Sequence, residues 1–296
     1  MKRVSLFVLT NMAIMVVLGI LMNIIFGLTG FRLDQSSMVS LLVICSIFGF
    51  SGSLISLFLS KGMAKRSVGA QVITDPRNET ERWLYQTIER QAQTLNIKMP
   101  EVAIYQAAEM NAFATGATKN KSLVAVSTGL LNQMTKDEVE AVLAHEMSHI
   151  HNGDMVTMTL LQGMVNTFAM FIAQIITIAI TSFLRGNQDS ERSSGSILQH
   201  HMIYMLVQMI FTSLGSLIVM WFSRHREYHA DAGAARLVGA PKMIAALKRL
   251  AQPLVQTEGL PDKIEAFGIN GVQKDSLLST HPSIPNRIDA LENQKY

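Results

Sequence analysis

Four long stretches of this chain contain no Asp, Glu, Lys, Arg or His. They are Val4–Phe31, Gln35–Ser60, Met155–Leu184 and Met202–Ser223, each at least 22 residues long. About 20 mostly apolar helical residues cross the ~30 Å hydrocarbon core of a bilayer. A helix satisfies its own backbone hydrogen bonds there, so such runs read as membrane helices. Gln162, Asn166, Gln174 and Gln208 soften the last two runs, as expected of helices that also pack against protein; for these two a buried core helix is the alternative. Lys2 and Arg3 precede the first run in the manner of a secretory signal. That run exceeds the roughly 7–15 apolar residues of a signal, so it is expected to be an uncleaved anchor.

Charge and cysteine content narrow the chemistry. Charged residues make up 16% of the chain, against about 25% in soluble domains. The net charge is only +3. Disorder and nucleic-acid binding both need abundant charge and are excluded as readings. Cys45 is the single cysteine, which rules out an intrachain disulfide and a thiolate cluster. Any metal must therefore be held by His, Asp and Glu. Lys2, Arg3, Lys61, Lys65, Arg66, Arg224 and Arg226 flank the apolar runs on one side, and Arg32, Arg185 and Arg192 on the other. This asymmetry places both termini in the cytoplasm, with short outer loops at Arg32–Asp34 and Arg185–His201.

The chain thus divides into a two-helix membrane anchor over 1–60, a cytoplasmic part over 61–154, a third and fourth membrane helix over 155–223, and a second cytoplasmic part over 224–296. Within the first cytoplasmic part, Thr74–Asp75–Pro76 opens a charged helix with Trp83, Leu84, Ile88 and Leu95 on its apolar side. Short strands are expected around Val102–Tyr105, Asn111–Ala114 and Leu123–Val126, with turns at Gly116 and Lys119–Asn120. The expected fold class is α+β, predominantly helical, with a small sheet.

The next helix has a marked start. Thr135 followed by Glu138 forms a capping box, and Met134 with Val139 supplies the hydrophobic staple. Val139, Val142, Leu143, Met147 and Ile150 give its apolar face, and Asn152–Gly153 marks its end. Asp154 can cap the third span. On this helix lies His145–Glu146–Met147–Ser148–His149. Residues at i and i+4 share one helical face, so both imidazoles can reach one ion. Glu146 is displaced by about 100° from His145. It can therefore accept a proton from a zinc-activated water without itself binding the metal.

A third ligand has several candidates. His151 turns away on the helix, and His200 and His201 lie across the membrane. Beyond the fourth span, Glu227 and Asp231 are again i and i+4. Glu227 can complete the metal site while Asp231 accepts an N–H from a ligand histidine. Spacing alone leaves open that both are solvated or paired with Arg224 and Arg226.

His145–Glu146–x–x–His149 with Glu227–x–x–x–Asp231 downstream resembles the HtpX-like family of membrane zinc peptidases, gluzincins related to the CAAX prenyl proteases. The strings Asn111–Ala112–Phe113–Ala114–Thr115–Gly116 and His281–Pro282–Ser283–Ile284–Pro285–Asn286–Arg287 carry the same resemblance, which covers essentially the whole chain. It implies four transmembrane helices with a cytoplasmic gluzincin-type domain, and one Zn2+ per chain held by His145, His149 and Glu227. It also implies that an extended substrate lies along Asn111, Ala112 and Phe113, which from sequence alone is an ordinary hairpin strand. His281 and Arg287 would approach the site and donate to the developing oxyanion; His281–Pro282 capping a helix, and Arg287 pairing with Asp289 or Glu292, remain the alternatives.

The function expected from this resemblance is a zinc endopeptidase of a bacterial inner membrane. Its partners would be the lipid bilayer and damaged or misassembled membrane-protein substrates, with no nucleic acid and an oligomeric state left open. A prenyl-protein peptidase would share the site but needs more helices to enclose its chamber. An intramembrane zinc protease would place His-Glu-x-x-His inside an apolar span, whereas Lys136, Asp137, Glu138 and Glu140 flank this one. A catalytically silent scaffold would have no need of Glu146.

Overall fold

The computed structural model describes residues 35–185, 194–252 and 279–293. In chain order the elements are α1 (Gln35–Ser67), β1 (Gln71–Val72), α2 (Glu79–Thr94), β2 (Glu101–Tyr105), β3 (Ala112–Thr118), β4 (Lys121–Ser127), α3 (Thr128–Gln133), α4 (Lys136–Asn152), α5 (Asp154–Arg185), α6 (Ser194–Val238), α7 (Ala240–Leu250) and α8 (Ile284–Glu292). The fold is mostly helical with one small mixed sheet, in agreement with the expected class.

Among the described residues, three helices are long and apolar enough to cross a membrane, over Ser37–Ser67, Asp154–Leu184 and Ile197–Val238. The expected first span, Val4–Phe31, and the Arg32–Asp34 loop lie outside the described residues. The outer loop expected over Arg185–His201 is shorter, because α6 already begins at Ser194. Ile197, Leu198 and Gln199 are helix-compatible, and no proline interrupts the approach to Met202.

Two compact units emerge, one within Met1–Gly52 and Gln162–Gly215, the other Ser53–Leu161 and Ser216–Tyr296. In the first, small residues permit close helix contact. A Cβ on Gly49 would stand 2.7 Å from the backbone nitrogen of Thr167, whereas one on Gly52 would meet nothing within 4 Å. Cys45 is buried beside Phe171 and Ile175, which is a packing role.

The second unit carries the sheet, in the order β1-β2-β4-β3. β2 and β4 run parallel, and β3 and β4 form an antiparallel hairpin closed by the pair Thr118 and Lys121. Lys119–Asn120 is the turn, while Gly116 (φ 146°) sits at an irregularity within β3. The pleat sends alternate residues to opposite faces. Ala112, Val124 and Val126 pack with Leu84, Ile88, Leu143 and Met147 from the helices. Phe113, Tyr105, Leu123 and Ala125 meet Ala64 and Val68 at the end of α1 on the other face. Lys61 and Lys65 add ion pairs to Glu101 of β2 at 2.6 and 3.1 Å.

The charged helix starts later than its Thr74–Asp75–Pro76 signal. Asn78 is the cap, accepting the Glu81 N–H at 2.8 Å, so α2 begins at Glu79. The capping box of α4 forms as expected: Thr135 N–H donates to Glu138 Oε2 at 2.7 Å, and Glu138 N–H to Thr135 Oγ1 at 3.3 Å. Gly153 ends α4 in the left-handed region, φ 71°, where glycine has no Cβ clash. Strand β1 and helices α3 and α7 were not anticipated; β1 is only two residues long and carries no periodic pattern.

Candidate metal centre

Helix α4 is buried from Ala141 to Ile150, and the polar residues of that stretch are buried with it. His145, Glu146 and His149 are 1%, 3% and 8% exposed. Helix α6 crosses nearby, and Gly233 makes the approach close: a Cβ there would stand 2.9 Å from the Ser148 Cβ. This brings fully buried Glu227 opposite the two histidines. His145 Nε2 lies 3.3 Å from Glu227 Oε2, His149 Nε2 lies 3.3 Å from Glu227 Oε1, and the two Nε2 atoms are 3.1 Å apart.

These three donors fit a zinc ion. Ligands bound at about 2.0–2.2 Å in a tetrahedron stand roughly 3.4 Å from one another. Each histidine also has its other nitrogen engaged. His145 Nδ1 is 2.9 Å from Asp231 Oδ1, and His149 Nδ1 is 2.7 Å from Asp154 Oδ2. A neutral ring donating from Nδ1 turns its Nε2 lone pair toward the centre. Both Glu227 carboxylate oxygens are buried and accept no hydrogen bond of proper geometry. Two lone pairs and a carboxylate facing one another in a dry space repel unless a cation lies between them. Among the described residues this is the His/Cys/Asp/Glu group with the arrangement for a metal ion.

The electrostatics express the same demand. Burial alone would lower the His149 pKa, but Glu227 and the hydrogen bond to Asp154 outweigh it and hold it at about 9. For His145 burial is likewise outweighed by the contacts with Asp231 and Glu227, and the pKa is raised. Burial pushes the Glu146 carboxyl up against the opposing pull of the two histidines.

The remaining expected residues divide. His281 reaches the centre, with Nδ1 3.1 Å from Glu227 Oε2, although neither ring nitrogen makes a hydrogen bond. Its loop is fixed to α6 through Arg224, which donates to the Ser279 carbonyl at 2.7 Å. Arg287 is 1% exposed. It donates twice to Asp231, from Nε at 2.8 Å and from NH2 at 2.7 Å. NH1 stands 3.8 Å from Glu227. Its partner is thus Asp231 rather than Asp289 or Glu292, and its guanidinium braces the carboxylate that holds His145. Asn111, Ala112 and Phe113 lie at the β3 edge of the sheet. Both backbone groups of Asn111 are bonded to Ser127, at 3.0 and 2.9 Å. The Phe113 ring packs on Tyr105 on the face away from α4. Sequence reading assigned Asp154 to a helix cap and missed its contact with His149.

A four-stranded sheet with a His-Glu-x-x-His helix crossed by a Glu-x-x-x-Asp helix, in a chain with membrane-length apolar helices, defines a membrane metallopeptidase. The model of peptidase family M48 matches residues 78–295, and the chain belongs to that family. It is 54% identical over 292 residues to Protease HtpX of Aliivibrio fischeri (strain MJ11), covering 98% of this chain and 99% of that protein. The identity to Protease HtpX of Vibrio parahaemolyticus is 54% over 295 residues, covering 99% and 100%. Among solved structures, S. mikatae Ste24p shares the fold, with TM-score 0.59 at 19% identity; the match covers 85% of this chain and 58% of that one.

Proposed function

We propose that the chain is a zinc-dependent endopeptidase of the bacterial inner membrane that cleaves damaged or misfolded membrane proteins on the cytoplasmic side. One observation carries this reading: two Nε2 atoms and an unbonded buried carboxylate converge, with each histidine held from behind by an aspartate. His145, His149 and Glu227 would hold the ion, which when bound supplies Lewis-acid polarisation of the scissile carbonyl and a more acidic water.

The chain's own residues do the rest. The Glu146 carboxylate takes a proton from the attacking water and passes it to the leaving amine. A raised pKa suits a group that must both accept and return a proton. The substrate lies extended along the open edge of β3, bonded through its main chain, which makes recognition tolerant of sequence. His281 stands beside Glu227, with Nδ1 3.1 Å from Oε2, and offers a donor to the oxyanion. The surplus of basic residues beside the 61–154 and 224–296 parts supports the cytoplasmic orientation.

The test is Glu146→Gln in the full-length enzyme. Zinc content should stay at one ion per chain, while peptide cleavage falls by about 10²–10⁴-fold, the usual worth of a general base. Near-normal cleavage by the Gln protein would overturn the mechanism. Comparing membrane-protein fragments from cells carrying each form identifies the substrates. For orientation, a cysteine placed at Gln188 should be labelled in intact cells and one at Gln93 should not; the reverse pattern inverts the topology.

A further inference from the structure

The reversal between α4 and α5 places a carboxylate where ligand spacing gives no hint of one. In an uninterrupted helix, residues five apart are about 500° around the axis, some 140° out of line, and their side chains do not meet. Here Gly153 breaks the helix in the left-handed conformation, its N–H donating to the carbonyls of His149 and Ile150. Asp154 follows directly as the first residue of α5 and folds back on the helix just completed. Its Oδ2 lies 2.7 Å from His149 Nδ1, and both residues are 8% exposed. Were Asp154 only a cap, its carboxylate would take an N–H from the first turn of α5. The hydrogen bond it makes is to the imidazole instead.

We infer that Asp154 is a positioning residue for the metal: by accepting the Nδ1 proton of His149 it fixes the tautomer and aims Nε2 at the ion. This rests on the zinc site proposed above. It gives the two ligand histidines matching supports from different elements, Asp231 of α6 for His145 and Asp154 of α5 for His149. The supports differ in one respect. Asp231 is clamped by Arg287 through two hydrogen bonds, whereas among the described residues Asp154 has no Lys or Arg in ion-pair reach and depends on His149. The orientation of one ligand is therefore tied to the first residue of a helix whose next 30 residues are apolar enough to enter a membrane.

The experiment is zinc affinity by chelator competition on the full-length protein in detergent, with the visible spectrum of the Co2+ form as a second readout. Four proteins are compared: wild type, His149→Ala, Asp154→Ala and Asp154→Asn. Asp154→Ala should weaken zinc binding by roughly 10–100-fold and shift the cobalt bands, with helicity of the metal-free protein unchanged. Asp154→Asn, whose amide oxygen still accepts the Nδ1 proton, should lose less. An affinity for Asp154→Ala within about twofold of wild type, with an unaltered cobalt spectrum, overturns the inference, since a loss of at least tenfold is required. If Asp154→Ala does not fold, Asp154→Leu, of similar size but unable to accept the Nδ1 proton, decides, and an unchanged affinity and spectrum there also overturn it. The controls separate the two levels. Wild-type zinc binding by His149→Ala would sink the ligand assignment itself, whereas zinc lost in His149→Ala but kept in Asp154→Ala removes only the role of Asp154.

Discussion

Between Val139 and Ile150, α4 buries two histidines and a glutamate among apolar neighbours, whereas between Met202 and Trp221, α6 turns large apolar side chains outward. His145 is 1% exposed, while Met202, Leu206, Ile210, Leu214 and Trp221 are each between 53% and 60% exposed. In water both arrangements would be unfavourable. The first is sustained because each buried charge faces a compensating one: Asp231 has Arg287 and His145, and Glu227 has three imidazoles around it. The second is sustained only if the solvent around α6 is itself hydrocarbon. Polarity alone does not say which residues are inside; the pairing of charges and the identity of the surrounding medium do.

The largest blow to the buried half should come from Arg287→Met. Removing the cation leaves the Asp231 carboxylate buried beside Glu227, and such a loss typically costs about 3–5 kcal/mol. Denaturant unfolding of the zinc-loaded enzyme in detergent should show it, and a change below about 1 kcal/mol would mean that the site is wetter than described. On the lipid side, Leu214→Arg puts a charge near the middle of an apolar run. Insertion scales place arginine at about +2.5 to +3.5 kcal/mol and leucine slightly below zero. Membrane insertion assayed by carbonate extraction should fall, and unchanged insertion would argue that this face meets protein or water.

A smaller effect is expected where Gly233 of α6 packs against Ser148 of α4. Gly233→Ala introduces a Cβ 2.5 Å from Ser148 Oγ and 2.9 Å from its Cβ, an overpacking worth about 1–3 kcal/mol. Zinc affinity should weaken alongside stability, because Glu227 is carried on the helix that is pushed away. Pairing the change with Ser148→Ala should recover part of both. The smallest effect is that of Thr135→Ala, which removes one half of the capping box of α4 and should cost about 1 kcal/mol with cleavage per folded molecule unchanged.

What was legible in the chain was what is local. The i, i+4 histidines, the intervening Glu146 and the Thr135–Glu138 box lie within one or two turns of a single helix, and their geometry follows from its pitch. The three apolar runs among the described residues were legible for the same reason, being continuous in sequence. Asp154 was not, because five residues of separation predict no contact until Gly153 is known to turn the chain through the left-handed region. Nor was the true partner of Arg287, which lies 56 residues away at Asp231 and competes in any sequence reading with acidic neighbours two and five positions on. The edge placement of Asn111–Phe113 was expected from resemblance, yet the commitment of the Asn111 backbone to Ser127 depends on the turn into α3, whose six residues carry no periodic signal.

Helix α6 runs without a break through Trp221 and on to Glu227. Six residues of helix are about 9 Å of rise, and an exposed tryptophan belongs at the boundary where lipid headgroups begin. A continuous helix has no joint with which to change that height, so on the proposed function the metal site behaves as a fixed gauge above the bilayer. An extended polypeptide leaving the membrane climbs the same distance in about three residues. On the proposed function, where a substrate is severed is then set by how far its chain has emerged, and a segment still held in lipid stays below the blade.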